Sequence, residues 1–161
     1  MFVIEAFSQT KIKAIVTRVV EADLRKLTIR RYFFDWKLLY GKADLYKLCL
    51  EGDDDIIGLM AVIDNPEEYR IEVKLIAASK ENVTAYKEQG KTVKKYENVA
   101  VCLLAFAARI ALVKYGIMAC VSLIPKTNLK QHYIRKYGMK EAGQSLYLDS
   151  LGLQTLITEH L

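Results

Sequence analysis

Apolar positions dominate one stretch of the chain, Val99 to Val113, where Arg109 is the single charge. A helix apolar nearly all round is buried in a layered fold, so this run predicts a central helix. At that length, and with Arg109 inside it, the run falls short of a bilayer span. Tyr115-Gly116 ends it, because glycine takes a left-handed cap at little cost, and Lys114 in the last turn suits the helix dipole. Ile117 to Ile124 is a short apolar run read as a buried strand, closed by Pro125. Asn128, with Gln131 three residues on, resembles a capping box and starts a second helix that ends at Lys136-Tyr137-Gly138-Met139. This half of the chain therefore reads as a βαβ-type crossover whose first helix begins where a phosphate can sit.

Strand-like patterns fill the first half. Ile12 to Val20 is rich in Ile and Val, and Asp44 to Leu50 alternates imperfectly. Gly52-Asp53-Asp54-Asp55 is a turn cluster, and Ile56 to Ile63 returns as the second arm of an antiparallel hairpin. After a turn at Asp64-Asn65-Pro66-Glu67-Glu68, the segment Tyr69 to Ala78 sets Ile71, Val73 and Leu75 against Glu72 and Lys74. It turns wholly apolar at Ile76-Ala77-Ala78. Glu21 to Leu27 reads as a short helix, residues 80 to 95 as a flexible polar loop, and Leu151 to Leu161 as a strand or short helix. The aromatic cluster Phe33-Phe34-Asp35-Trp36 has no evident place in this scheme. The pattern predicts an α/β (α+β) fold with a mixed, mostly antiparallel central sheet flanked by helices. With no repeat and no linker-like tract, residues 1–161 read as a single domain.

Composition narrows the class. An apolar share of 52% and two prolines in 161 residues describe a folded chain with a sizeable core. Cys49, Cys102 and Cys120 lie in apolar runs without CxxC pairing and read as buried thiols. With only His132 and His160 beside them, no zinc site is expected. Met1 to Ala6 is too short for a signal h-region, so the reading is cytoplasmic. The net charge of +5 invites a nucleic-acid partner, but Lys11, Lys13, Arg18, Arg25, Lys26, Arg30 and Arg31 are scattered. Arg30-Arg31-Tyr32-Phe33 is one short basic–aromatic cluster, so nucleic-acid binding is the lesser reading.

The loop before the central helix reads Lys95-Tyr96-Glu97-Asn98-Val99-Ala100, followed by Val101-Cys102-Leu103-Leu104. From about Leu45 to Leu148 this chain resembles the GNAT superfamily of acyl-CoA-dependent N-acyltransferases, in its order of elements and in three local features. The family's loop signature is Gln/Arg-x-x-Gly-x-Gly/Ala. Ala100 fits its last position, Lys95 is basic but neither Gln nor Arg, and Asn98 stands at the first Gly. Such a loop holds pyrophosphate by backbone N–H groups at a helix N-terminus, so backbone shape outweighs side-chain identity. Asn is the non-Gly residue best able to supply an unusual φ there. The resemblance thus implies acetyl-CoA binding by Lys94, Lys95, Tyr96, Glu97, Asn98, Val99, Ala100 and Val101, with Lys91 adding charge. The same lysines also fit an ordinary solvated loop.

The second feature is Ile76, Ala77 and Ala78, the strand whose free backbone groups, in the resemblance, bind the pantetheine arm much as an added strand would. A buried strand with no ligand has the same composition. The third is the family's last-helix pattern, Asn-x-x-Ala-x-x-hydrophobic-Tyr-x-x-hydrophobic-Gly-Phe, whose Tyr is often the general acid. Counted back from Gly138, the Asn slot is Thr127 and the Tyr slot is Ile134, so Asn128 and Tyr133 each stand one residue out of register. One step on a helix is about 100°. The resemblance implies Asn128 as a cofactor contact and Tyr133 as the acid, whereas Tyr133 and Tyr137 at i, i+4 also look like packing tyrosines. Glu72 is the implied base, directly or through water, since an amine must lose a proton to attack a thioester. Its rival role is a surface ion pair with Lys74 or Lys47, and His132 is the alternative base. The implied partners are acetyl-CoA and an amine-bearing small molecule or protein, with a homodimer plausible for the fold. A CoA-binding module without turnover is the alternative.

Overall fold

A computed structural model describes residues 1–83, 86–88 and 91–161. Along the chain run β1 (Phe2–Glu5), β2 (Lys11–Arg18), α1 (Ile29–Tyr32), β3 (Asp44–Leu50), β4 (Ile56–Asn65), β5 (Arg70–Ala78) and α2 (Lys80–Val83). Then come β6 (Tyr86–Glu88), β7 (Lys91–Val93), β8 (Tyr96–Glu97), α3 (Val99–Tyr115), β9 (Cys120–Leu123), α4 (Lys130–Tyr137), β10 (Lys140–Ala142), β11 (Ser145–Leu148) and α5 (Ser150–His160). Among the described residues, nine strands form one sheet in the order β10-β11-β9-β5-β4-β3-β2-β1-β8, and β6 pairs with β7 apart from it. β5 and β9 are parallel, while β1–β2, β2–β3, β9–β11 and β10–β11 are antiparallel. This is the mixed, mostly antiparallel sheet expected, with β5–α3–β9 as its crossover.

The chain divides into two compact units. The first comprises Met1–Ala61 and Leu75–Leu103. Its core gathers Leu27, Tyr32, Trp36, Leu45, Ile56 and Leu59. The aromatic cluster left without a place in the sequence resolves here. Tyr32 and Trp36 are fully buried, with the Tyr32 hydroxyl donating to the Ile56 carbonyl at 2.8 Å and Trp36 Nε1 to the Tyr32 carbonyl at 3.3 Å. Phe33 and Phe34 face outward, Phe33 with a left-handed φ of 67°. Glu21–Lys26 is a 3-10 turn, closed by Lys47 Nζ on the carboxylate of Asp23 at 2.7 Å. Burial pushes the Asp23 carboxyl up, but its bonds from Lys47 and the Val20 N–H outweigh this and hold it below the usual range.

One glycine sets the packing of this unit. A Cβ on Gly58 of β4 would stand 2.5 Å from Val99 Cγ1 and 3.1 Å from Leu103 Cδ1. The first turns of α3 therefore lie closer to the strand than any larger residue permits.

Residues 80 to 95, read as a flexible loop, instead hold α2 and the antiparallel pair β6–β7. Residues 84, 85, 89 and 90 of that stretch lie outside the described residues.

The second unit comprises Val62–Lys74 and Leu104–Leu161. The register Ile71↔Val121↔Leu148 and Val73↔Leu123↔Leu146 lines up one buried apolar face. Leu153 and Leu156 of α5 are buried as well. The tail, open between strand and helix in the sequence, is thus a helix, capped by the Asp149 carboxylate accepting from the Gly152 N–H at 3.1 Å. At the end of α3, Lys114 and the Tyr115 hydroxyl both bind Asp64.

Three sequence expectations are corrected. The helical stretch runs on through a 3-10 turn to Met118, and its 20 residues are long and apolar enough by composition to cross a membrane, so the reading "too short" fails. Its nearly continuous burial from Val99 to Ala108 is that of a core helix. The strand after it is only Cys120–Leu123. Ile117 is 86% exposed in the 3-10 turn, and Ile124 is 62% exposed beyond the strand's end. Finally, Asn128 does not cap α4. It lies exposed inside a 3-10 turn, Thr127–Leu129, which feeds the helix from an already coiled backbone, and the cap residue is Leu129 without a side-chain bond. A capping box needs an extended residue at that point, and none is available.

Candidate functional site

In the first unit, the loop entering α3 carries the expected backbone. Asn98 has φ 68°, the left-handed region that glycine occupies at no steric cost. Its carbonyl accepts the first helical bond, from Cys102 N at 3.0 Å. The N–H groups of Val99, Ala100 and Val101 therefore have no acceptor inside the helix, at the positive end of a 17-residue dipole. Val99 and Val101 are buried, which fixes the turn, while Ala100 is exposed. Lys94 is exposed, and Lys95 Nζ lies 5.2 Å from the centroid of the Tyr96 ring. The Lys91 side chain lies outside the described residues.

Two anchors hold this loop. On one side β8 pairs with β1 through Ile4↔Glu97 and Glu5↔Tyr96, and Ala6 N donates to the Lys95 carbonyl at 2.9 Å. On the other stands Asn82 of α2, 2% exposed. Its Oδ1 accepts from Tyr96 N at 2.6 Å, its Nδ2 donates to the Tyr96 carbonyl at 3.1 Å, and its own carbonyl accepts from Lys95 N at 2.8 Å. Neither Asn82 nor Gly58 stood out in the sequence. An isolated Asn in a polar stretch, and a Gly in an apolar strand, were the only signals.

Ile76, Ala77 and Ala78 form the end of β5 in this unit and are half-buried, although their composition suggested full burial. The β5–β9 register covers Arg70–Val73, and β9 stops at Leu123, whereas β5 continues to Ala78. The Ala77 carbonyl flanks Gly58 together with Val99, so this strand end and the start of α3 meet at one glycine. Cys102, in the first turn of α3, donates its Sγ hydrogen to the Phe2 carbonyl at 3.4 Å, and burial pushes its thiol up to about 11. It stays protonated and unreactive at neutral pH.

The second unit holds Glu72, Tyr133 and Asn128. Glu72 shares a sheet face with Arg70, Ser122 and Tyr147, and these line an open pocket of about 460 Å³ with Cys120 and Ser145. Its carboxylate meets Lys74 Nζ at 3.2 Å and Arg70 Nη1 at 3.6 Å, so the ion-pair role is realised, with Lys74 and not with Lys47. Arg70 is itself held by Glu68 at 2.5 Å and by Ser122 Oγ at 2.7 Å. Tyr133 lies half-buried on α4, its ring 5.8 Å from Tyr137 and 6.0 Å from the exposed His132. Burial pushes its hydroxyl above the ordinary tyrosine value, which keeps the proton on oxygen at neutral pH. Ile134, in the family's Tyr slot, is also half-buried, and Asn128 is exposed.

Several basic residues of the first unit are held in ion pairs. Lys13 pairs with Glu51, Arg18 with Asp44, and Arg31 with both Asp55 and Glu81.

No family model matches this sequence. No curated protein matches it either. Solved structures do. The spermidine/spermine N-acetyltransferase SpeG of Vibrio cholerae superposes with TM-score 0.60 at 16% identity, over 89% of this chain and 98% of its own. A provisionally assigned streptothricin acetyltransferase of Bacillus anthracis str. Ames, with acetyl coenzyme A bound, gives 0.59 at 15% identity, over 86% and 98%. A provisionally assigned acetyltransferase of the GNAT family from Desulfovibrio desulfuricans gives 0.58 at 13% identity, over 85% and 99%. Likeness at such low identity over nearly whole chains is likeness of architecture, and the fold of this chain is the GNAT acetyltransferase fold.

Proposed function

We propose that this chain is an acetyl-CoA-dependent N-acetyltransferase acting on a primary amine, carried by a small molecule or a protein. The observation that carries the proposal is the left-handed Asn98 at the start of α3, with three N–H groups beyond it left without helical acceptors. A pyrophosphate fits there for the reason anions bind helix N-termini generally. Lys94 and Lys95 add charge, and the small exposed Ala100 lets the ligand approach the backbone. Ile76, Ala77 and Ala78, half-buried at the end of β5, are the proposed backbone partners for the pantetheine arm. Bound acetyl-CoA supplies the thioester acyl group.

The remaining chemistry falls to this chain's residues. In the forward reaction the acceptor amine forms the new C–N bond as the C–S bond breaks, so one proton leaves nitrogen and one reaches sulfur. Tyr133, a phenol that is protonated at neutral pH as any tyrosine is, is in the right form to donate to the departing sulfur. Glu72 takes the amine proton, directly or through a water in the pocket it lines with Arg70 and Tyr147. Positioning of the two reactants supplies the larger part of the acceleration.

A second reading draws on the engagement of Glu72 by Lys74 and Arg70. A carboxylate satisfied in this way makes a poorer base, and the chain is then a CoA-binding module without turnover. Thiol release from acetyl-CoA across a panel of primary amines separates the two. Release that depends on an added amine supports the transferase, and CoA binding with no release from any amine supports the module.

A further inference from the structure

From the geometry we infer that Asn82 is a positioning residue for the cofactor loop, acting through the backbone of Tyr96 on the left-handed turn at Asn98. The inference rests on the reading of that loop as the pyrophosphate cradle and goes beyond it, because no part of the loop signature includes residue 82. Asn82 meets the loop as a β-strand partner would. Its amide both accepts from and donates to the backbone of one residue, Tyr96, and its own carbonyl takes the N–H of the residue before, Lys95. The side chain is 2% exposed, so water cannot replace these bonds when they are lost. Asn82 is itself held: its N–H donates to Ser79 Oγ at 3.3 Å, and the Ser79 N–H donates to the Ile57 carbonyl at 2.9 Å. Ile57 is the neighbour of Gly58, against which Val99 packs.

The loop is therefore clamped from both sides two residues before Asn98, by β1 through backbone pairing and by Asn82 through one side chain. A non-glycine residue at φ 68° is strained, and it persists only where its surroundings over-determine it. β1 alone leaves one side of the loop unheld. Asn82 supplies the other, and so keeps the N–H groups of Val99 to Val101 aimed at one point before any ligand arrives. Preorganisation of this kind raises affinity without touching the ligand.

The test compares CoA with pantetheine, which lacks the pyrophosphate, as calorimetric ligands for the wild-type chain and for Asn82→Leu. The expected result is a loss of about tenfold or more in CoA affinity for the variant, from unsatisfied backbone groups and a loosened loop. Pantetheine affinity should stay unchanged, a selectivity that mere destabilisation does not produce. Equal CoA affinity in both proteins overturns the role of Asn82. Absence of CoA binding by the wild type overturns the cradle reading itself, whatever Asn82 does. If Asn82→Leu fails to fold, the isosteric Asn82→Asp carries the same comparison. Amide hydrogen exchange on the wild type needs no variant: slow exchange at Lys95 and Tyr96 is expected, and fast exchange at both overturns the clamp.

Discussion

At the start of α3 the chain arrives pinned on two sides, turns through a left-handed Asn98 and presents N–H groups whose direction the backbone sets. At the start of α4 it arrives through a 3-10 turn with no side-chain cap, and what it presents is a set of side chains: Tyr133, His132 and Tyr137. The first arrangement tolerates sequence drift, because any residue able to hold the turn preserves the direction of those N–H groups. The second does not, because a one-residue offset on a helix swings a hydroxyl by about 100°. On the proposed reading, a chain can thus keep a cofactor-binding backbone while the side chains assigned to catalysis change.

Tyr133→Phe strains this contrast hardest. If Tyr133 is the acid, amine-dependent thiol release falls by about a hundredfold or more while CoA affinity holds. An unchanged rate reduces Tyr133 to packing. Gly58→Ala tests the backbone side, since its Cβ meets Val99 Cγ1 at 2.5 Å. We expect a loss of about 1–3 kcal/mol in urea unfolding, from overpacking against a stiff β-branched neighbour. A neutral result means that α3 does not need the close approach.

Asn98→Val puts a β-branched residue at φ 68°. It should cost about 1–2 kcal/mol of stability and abolish CoA binding, whereas Asn98→Gly keeps it. The smallest effect is expected at Asp149, the cap of α5. Its carboxyl is held below the usual 3.8, first by the Lys140 bond and then by the Gly152 N–H. A depressed folded value means stability present above the unfolded value and lost as pH falls through the folded one. Asp149→Ala should therefore cost about 1 kcal/mol at pH 7, as lost caps do, with the gap to wild type closing in acid. A gap that persists at low pH removes the carboxylate from the cap.

What was legible in the sequence follows the same divide. Apolar periodicity located β3 to its residue boundaries and α3 within a turn, because burial of whole faces writes itself into residue type. Asn98 was legible as a conformational residue for the same kind of reason: few side chains tolerate φ above zero. Asn82 was not, since its partner lies 14 residues away and an Asn in a polar stretch has many possible roles. Tyr32 and Trp36 were hidden among exposed phenylalanines, with no period to separate core from surface. The end of β9 was misread because Ile117 and Ile124 are apolar yet exposed, and hydrophobicity alone does not report a 3-10 turn or a strand's end. Register on α4 was visible as an offset, but the 3-10 turn Thr127–Leu129 that displaces Asn128 from the cap is a backbone choice that local composition does not specify.

Calorimetric titration with acetyl-CoA, with CoA and ATP for comparison, tests the central claim most directly. The account predicts micromolar binding selective for the CoA ligands, abolished in Asn98→Val. No binding at millimolar ligand would contradict it and leave Lys94 to Val101 as a solvated loop on an acetyltransferase fold.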